Sequence, residues 1–119
     1  KLGEAFFVAA AEDGTIVGTV GVKQEDERTA FLRRLYVDRK YRRRKIGSQL
    51  LDRAVEFCRE GGYDELIFKT TSAMEHAVQL CEKKGFVPKA KVGVGPLQLL
   101  KFALFLKGEA VLPQSKETK

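Results

Sequence analysis

At 119 residues, with 44% hydrophobic and 32% charged side chains, the chain has the size and balance of one globular domain with its own core. Its apolar runs are only a few residues long, which excludes a transmembrane helix, and residues 6–11 are too short a run, without a basic leader, to be a secretory signal. A net charge of +6 and a pI near 9.4 call for an anionic partner and admit nucleic acid, acidic lipid and a phosphorylated cofactor alike.

The chain starts at Lys1 without a Met, directly before a strand-like segment, and reads as a fragment or processed piece. Residues 4–12 (EAFFVAAAE) are an apolar run of strand length. Asp13-Gly14 follows, a dipeptide suited to a two-residue type I′ hairpin, whose central residues both take positive φ. Residues 15–23 (TIVGTVGVK) are the return strand, and Gly18 and Gly21 mark a bulge or a close backbone approach. After a polar turn at 24–27, residues 28–37 (RTAFLRRLYV) make a third strand, antiparallel to the second.

From residue 45 or 46 to 60 the period changes, and Ile46, Leu50, Leu51, Ala54, Phe57 and Cys58 form one apolar stripe of a helix that stops at Gly61-Gly62. Residues 65–70 (ELIFKT) are a short strand. Ser72 and Glu75 match a capping box for a second helix, which runs to about residue 84, buries Ala77, Val78, Leu80 and Cys81, and ends at Gly85. Residues 86–92 and 98–107 are two further strands. The order β-β-β-α-β-α-β-β predicts an α+β fold on a mixed, mostly antiparallel sheet. The strands around Val37 and Ile67 lie parallel, joined by the first helix, with the helices on either face or both on one.

Two cysteines, Cys58 and Cys81, make no disulfide framework, and no His or Cys stands at zinc spacing. The expectation is reduced thiols, an intracellular, cytoplasmic setting and no metal. The apolar strand at 97–106 suggests pairing between two copies in a homodimer.

The densest signal is the turn before the first helix. Arg39, Lys40, Arg42, Arg43, Arg44 and Lys45 account for the whole net charge, since the other 16 basic residues match the 16 acidic ones. Directly behind them, Ile46-Gly47-Ser48 opens the helix, where the first backbone N–H groups lack intrahelical partners and carry partial positive charge. Small residues there let a ligand approach, so a pyrophosphate fits the amides with arginine forks around it. A solvated basic loop or a nucleic-acid patch is the competing reading.

These residues resemble a family. Strand, R-x-x-G-x-G/A, helix is the cofactor motif of the GNAT superfamily of N-acetyltransferases. Residues 42–47 (RRRKIG) fit it except that Lys45 stands where glycine is usual. Residues 74–86 (MEHAVQLCEKKGF) resemble the family's N-x-x-A-x-x-L-Y-x-x-x-G-F at Ala77, Leu80, Gly85 and Phe86, with Met74 in place of Asn and Cys81 in place of Tyr. The resemblance covers about residues 4–107, from the family's second strand onward. Residues 1–107 are thus expected to be an acetyltransferase-like domain lacking the first strand and first two helices, and 108–119 a polar, disordered tail.

The resemblance implies acetyl-CoA as cosubstrate, a primary amine as acceptor and direct attack in a ternary complex. It implies that backbone groups of Leu35, Tyr36 and Val37 meet the thioester and pantetheine. Arg42, Arg43, Arg44, Lys45, Ile46, Gly47 and Ser48 would hold the pyrophosphate, and surplus arginines the 3′-phosphate. Cys81 takes the position of the tyrosine that often protonates the leaving thiolate; a buried, space-filling cysteine is the plainer reading. No general base is assigned: Glu25, Asp26 and Glu27 read as a solvated turn, and His76 as a surface residue of the second helix. Two other readings stay open: a degenerate fold that binds coenzyme A without catalysis, and a basic nucleic-acid module. The second has only Tyr36 and Tyr41 to stack on bases. Membrane attachment of the parent protein is also open, because some relatives carry apolar helices ahead of this region.

Overall fold

A computed structural model describes residues 4–106. The polar tail expected at 108–119 lies outside the described residues. The elements are β1 (Glu4–Ala10), β2 (Ile16–Gln24), β3 (Thr29–Val37), a 3-10 turn (Arg39–Tyr41), α1 (Ile46–Glu60), β4 (Glu65–Thr71), α2 (Glu75–Lys83), β5 (Val87–Val94) and β6 (Leu97–Phe105). They build one six-stranded sheet in the order β1-β2-β3-β4-β6-β5. Only β3 and β4 are parallel, joined by α1; the other neighbours are antiparallel. This is the α+β order expected from the sequence. No helix among the described residues is long and apolar enough to cross a membrane.

Both helices lie side by side on one face. Leu50, Leu51, Ala54 and Cys58 of α1 and Ala77 and Cys81 of α2 share one buried cluster with Val20, Val22, Leu32, Leu66 and Phe102 of the sheet. Lys84 Nζ reaches Asp52 Oδ1 across the two helices at 2.9 Å. Gly18 lets α1 settle onto β2: a Cβ there would stand 2.9 Å from Leu50 Cδ1 and 3.1 Å from the Tyr36 carbonyl. Gly62 (φ +81°) and Gly85 (φ +95°) follow the two helices in left-handed conformations, as their spacing predicted.

Three local expectations are corrected. The β1–β2 hairpin is not a two-residue type I′ turn, because Gly14 (φ +91°) has positive φ and Asp13 does not. Ala11 N donates to Thr15 O at 2.8 Å and Gly14 N to Ala11 O at 2.9 Å. That is a three-residue loop closed by a left-handed glycine. The capping box of α2 does not form either. Ser72 Oγ accepts from Gln98 N at 3.0 Å, anchoring the start of β6, and the helix begins three residues later at Glu75 behind Met74. Finally, β6 lies between β4 and β5 with both edges paired, so it has no free edge for a second copy. The outer strand on that side is β5, which carries Pro88 and an irregular register between Pro88 and Ala90; β1 is the edge on the other side.

Candidate active site

The site begins where β3 and β4 part. Their pairing runs from Thr29↔Glu65 to Leu32↔Phe68 and stops. Beyond it β4 stays with β6 as far as Thr71, while β3 stays with β2 as far as Val37. A bulge in β3 accompanies the separation. Gly21 faces Arg33 and Thr19 faces Tyr36, so Arg34 and Leu35 together oppose Val20 alone. Arg34 adopts φ +55°, and Thr19 Oγ1 donates to its carbonyl at 2.8 Å. The extra residue shifts the alternation, so that Ala30 and Leu32 before it and Val37 after it all reach the core. Asp38 N donates back to Val17 O at 2.8 Å. By strand alternation the main-chain groups of Val37 and Leu35 then turn toward the gap. Val37 O accepts from Arg42 Nε at 3.2 Å, which ties the basic turn to the end of the strand.

The turn itself is a cradle of donors. Asp38 Oδ1 caps the short 3-10 turn through Lys40 N at 2.9 Å. Arg43 (φ +69°) and Lys45 (φ +63°) are then left-handed, with α1 following immediately. A left-handed residue leading into a right-handed helix turns successive N–H groups into one concavity, an anion nest. No acceptor among the described residues takes the amides of residues 43–48. Lys45 occupies the position where the motif's glycine is usual, and its positive φ is the physical reason for that preference. Gly47 is buried, and a Cβ on it would stand 2.9 Å from Leu80 Cδ2 and 3.3 Å from Val37 Cγ2. It therefore serves close packing of α1, α2 and β3 as well as access.

Two adjoining clefts share Val37, Arg42, His76 and Leu80. The one over the turn, about 440 Å³, is lined by Arg42, Arg43, Lys45, Ile46, Gly47 and Ser48. The one at the strand gap, about 260 Å³, is lined by Leu35, Tyr36 and Val37 opposite the start of α2. Arg44 lines neither; its guanidinium lies 5.0 Å over the Tyr41 ring. Cys81 also lines neither. It is fully buried, and burial, with Glu82 adding, pushes its thiol up to about 12. Cys58 is buried likewise, with its thiol at about 12, and both cysteines are free.

His76 and Lys83 join the clefts without having been singled out for them. They stand seven residues apart, two helical turns, on the face of α2 turned toward the cradle; that spacing was the available signal. His76 is exposed, as expected of a first-turn residue, yet it lines both clefts. Partial burial, then the Arg42 and Lys83 charges, hold its imidazole below the ordinary value, so it is neutral near pH 7.

Comparison with known proteins accords with this geometry. The family model described as "Acetyltransferase (GNAT) family" matches residues 1–86. A "Probable N-acetyltransferase camello" of Xenopus tropicalis is 32% identical over 105 residues, covering 85% of this chain and 47% of that protein. The chain thus spans about half the length of that relative. The crystal structure of a GNAT-family acetyltransferase from Staphylococcus aureus superposes with a TM-score of 0.80 at 26% identity, over 89% of this chain and 70% of that one. A GNAT-family acetyltransferase from Elizabethkingia anophelis, solved with acetyl-CoA bound, has the same fold at a TM-score of 0.74 and 17% identity, over 87% of this chain and 76% of its own. With its family pattern matched across most of its length, and strand gap, bulge and helix start following one another as described, the chain belongs to the GNAT acetyltransferase family.

Proposed function

We propose that the chain is the catalytic domain of an acetyl-CoA-dependent N-acetyltransferase. The observation that carries this reading is the continuity between the unpartnered amides of residues 43–48 and the gap between β3 and β4. A diphosphate on the amides and a pantetheine arm in the gap would bring a thioester to the separation point of the two strands. The N-acetyltransferase named among the relatives and the acetyl-CoA in a structural neighbour support the assignment. Two buried, free thiols suit an intracellular setting.

The amides of Ile46, Gly47 and Ser48 and the guanidinium of Arg42 would neutralise the diphosphate. Main-chain groups of Leu35 and Val37 would hold the pantetheine amides. At the gap, a neutral amine attacks the thioester carbonyl, the C–N bond forms, the C–S bond breaks, and the thiolate takes up a proton. Cys81 sits behind the cleft wall, so this reading gives it a packing role and leaves that proton to substrate or solvent.

A melting scan with acetyl-CoA, free CoA and ATP tests the cofactor. Saturating acetyl-CoA at a hundred times its Kd should stabilise the fold by about 2.7 kcal/mol, with ATP having much less effect. No response to either CoA species would remove the proposal. Binding without turnover across an amine panel would favour the non-catalytic reading.

A further inference from the structure

The hairpin of β5 and β6 ends in an arm that the rest of the molecule leaves uncovered. Thr71↔Leu99 is the last pair between β4 and β6, and past it the ladder joins Val94 to Leu97 alone. All eight residues of β5 are exposed, so neither face of that strand is packed. A two-stranded ribbon without packing is marginal in water. This one also carries aliphatic side chains: Val92, Val94, Leu97 and Leu99 are 41–55% exposed. The pairs Val92↔Leu99 and Val94↔Leu97 set all four on one face, away from the helices, while Leu100 and Phe102 on the other face join the core. A hollow of about 380 Å³ runs beside Val92 and Leu99 and ends at Lys69 and Lys101.

Charge adds an independent observation. Residues 87–105 hold three lysines and no acidic residue. Lys101 faces Lys69 of β4, Lys89 Nζ stands 5.2 Å over the Phe105 ring, and Lys91 lies opposite Leu100. All four lysines are exposed, and among the described residues none has a carboxylate partner. A collar of unpaired cations thus surrounds the base of an apolar tip.

We propose that this arm docks tip first on an anionic phospholipid surface. Strand residues rise about 3.4 Å each, so Lys101 stands about 7 Å behind Leu99 and about 14 Å behind Leu97. Interfacial segments sink about 5–10 Å into the boundary between headgroups and acyl chains. At that depth Val94 and Leu97 reach the acyl chains and the lysines lie among the phosphates, their stems following the apolar surface. A second copy is a poorer occupant, because stacking two such faces would bring the lysine collars together. An acidic protein would suit the charge, but residues 87–105 offer no Trp, Tyr or Arg, the side chains that most often anchor protein interfaces. The docking surface is separate from the acetyl-CoA cradle and does not rest on the enzyme reading.

The test is sedimentation of the chain with phosphatidylcholine vesicles made with and without phosphatidylserine. Binding should require phosphatidylserine and weaken as salt is raised. Lys91→Gln and Lys101→Gln should each lower the partition coefficient about fivefold. The pair Val94→Ser and Leu97→Ser should lower it by more than about tenfold. The pair Arg43→Gln and Arg44→Gln, which removes cations of the basic turn, should lose less than the arm variants. A common urea midpoint checks that the variants fold. The chain has no Trp, so Leu97→Trp supplies a single indole. Its emission should shift to the blue on the anionic vesicles and be quenched by brominated acyl chains.

Absence of vesicle binding would overturn the proposal. So would a loss confined to the Arg43 and Arg44 pair, or an indole that stays in water on vesicles that bind the protein. Capture by polyglutamate without vesicle binding would replace lipid by an acidic protein, and a dimer in sedimentation velocity that Leu97→Ser dissolves would replace it by a second copy.

Discussion

The two halves of β3 contrast sharply. Residues 29–32 are paired on both edges, to β2 and β4, and bury Ala30 and Leu32 in the core. Residues 33–37 are paired to β2 alone, begin with a bulge, and line clefts on both sides of the sheet. One continuous strand thus supports the fold in its first half and the site in its second. The lesson is that the site starts where the ladder stops: unpaired main-chain groups are costly inside a protein unless a ligand or water takes them, and a separated strand presents a row of them.

Substitutions on either side of that boundary should separate stability from binding. The largest effect is expected from Leu32→Ala in the doubly paired half. Its side chain is 3% exposed, and truncation should cost about 3 kcal/mol in urea unfolding. Acetyl-CoA affinity of the folded protein should be unchanged; a parallel loss of affinity would dissolve the contrast.

Next is Gly47→Glu, beyond the second half. It places a carboxylate beside the free amides and a Cβ 2.9 Å from Leu80 Cδ2, and should weaken acetyl-CoA at least about a hundredfold by calorimetry, close to 2.7 kcal/mol. Unaltered affinity would refute the cradle.

Cys81→Ala should cost about 1 kcal/mol, as for loss of a small buried group, while turnover per folded molecule is retained. A collapse of kcat without loss of fold would restore the acid role to Cys81.

The smallest effect concerns pH. In the free protein, partial burial, Arg42 and Lys83 keep His76 deprotonated below its ordinary range. A diphosphate on the adjacent amides would add negative charge and raise its proton affinity, so binding takes up a proton. Affinity should then rise as pH falls into the range where the lowered His76 imidazole takes up its proton. Titrations at several pH values should show a modest rise in the wild-type protein that is absent from His76→Gln.

Much of this architecture was legible in the chain. The stripe of Leu50, Leu51, Ala54 and Cys58 gave α1, and all four are buried. The cradle was legible because six cations, a glycine and a serine are condensed into ten residues, next to a helix start that local sequence also marks. The features that escaped depend on partners distant in sequence. Asp13-Gly14 suited a tighter turn, but pairing of Ala11 with Thr15 set the loop length. Ser72 had the chemistry of a cap, and the start of β6 claimed its hydroxyl instead. The insertion of β6 between β4 and β5 is a choice among strand pairings that no local pattern encodes. The bulge left a trace: Arg33-Arg34 interrupts the alternation of A-F-L before it resumes as L-Y-V. Two consecutive exposed residues within a strand are the mark of an inserted position.

The outer rim at β5 has a consequence for how the protein behaves when concentrated. Its first half is spoiled as a template for chain-upon-chain growth: Pro88 has no N–H to offer, the register slips before Ala90, and Lys89 and Lys91 charge the border. What remains regular, residues 90–94, is shorter than the six- or seven-residue segments that seed cross-β fibrils. The valines exposed along this border are therefore poorly placed to nucleate amyloid, and the chain can carry them at its margin without polymerising through it.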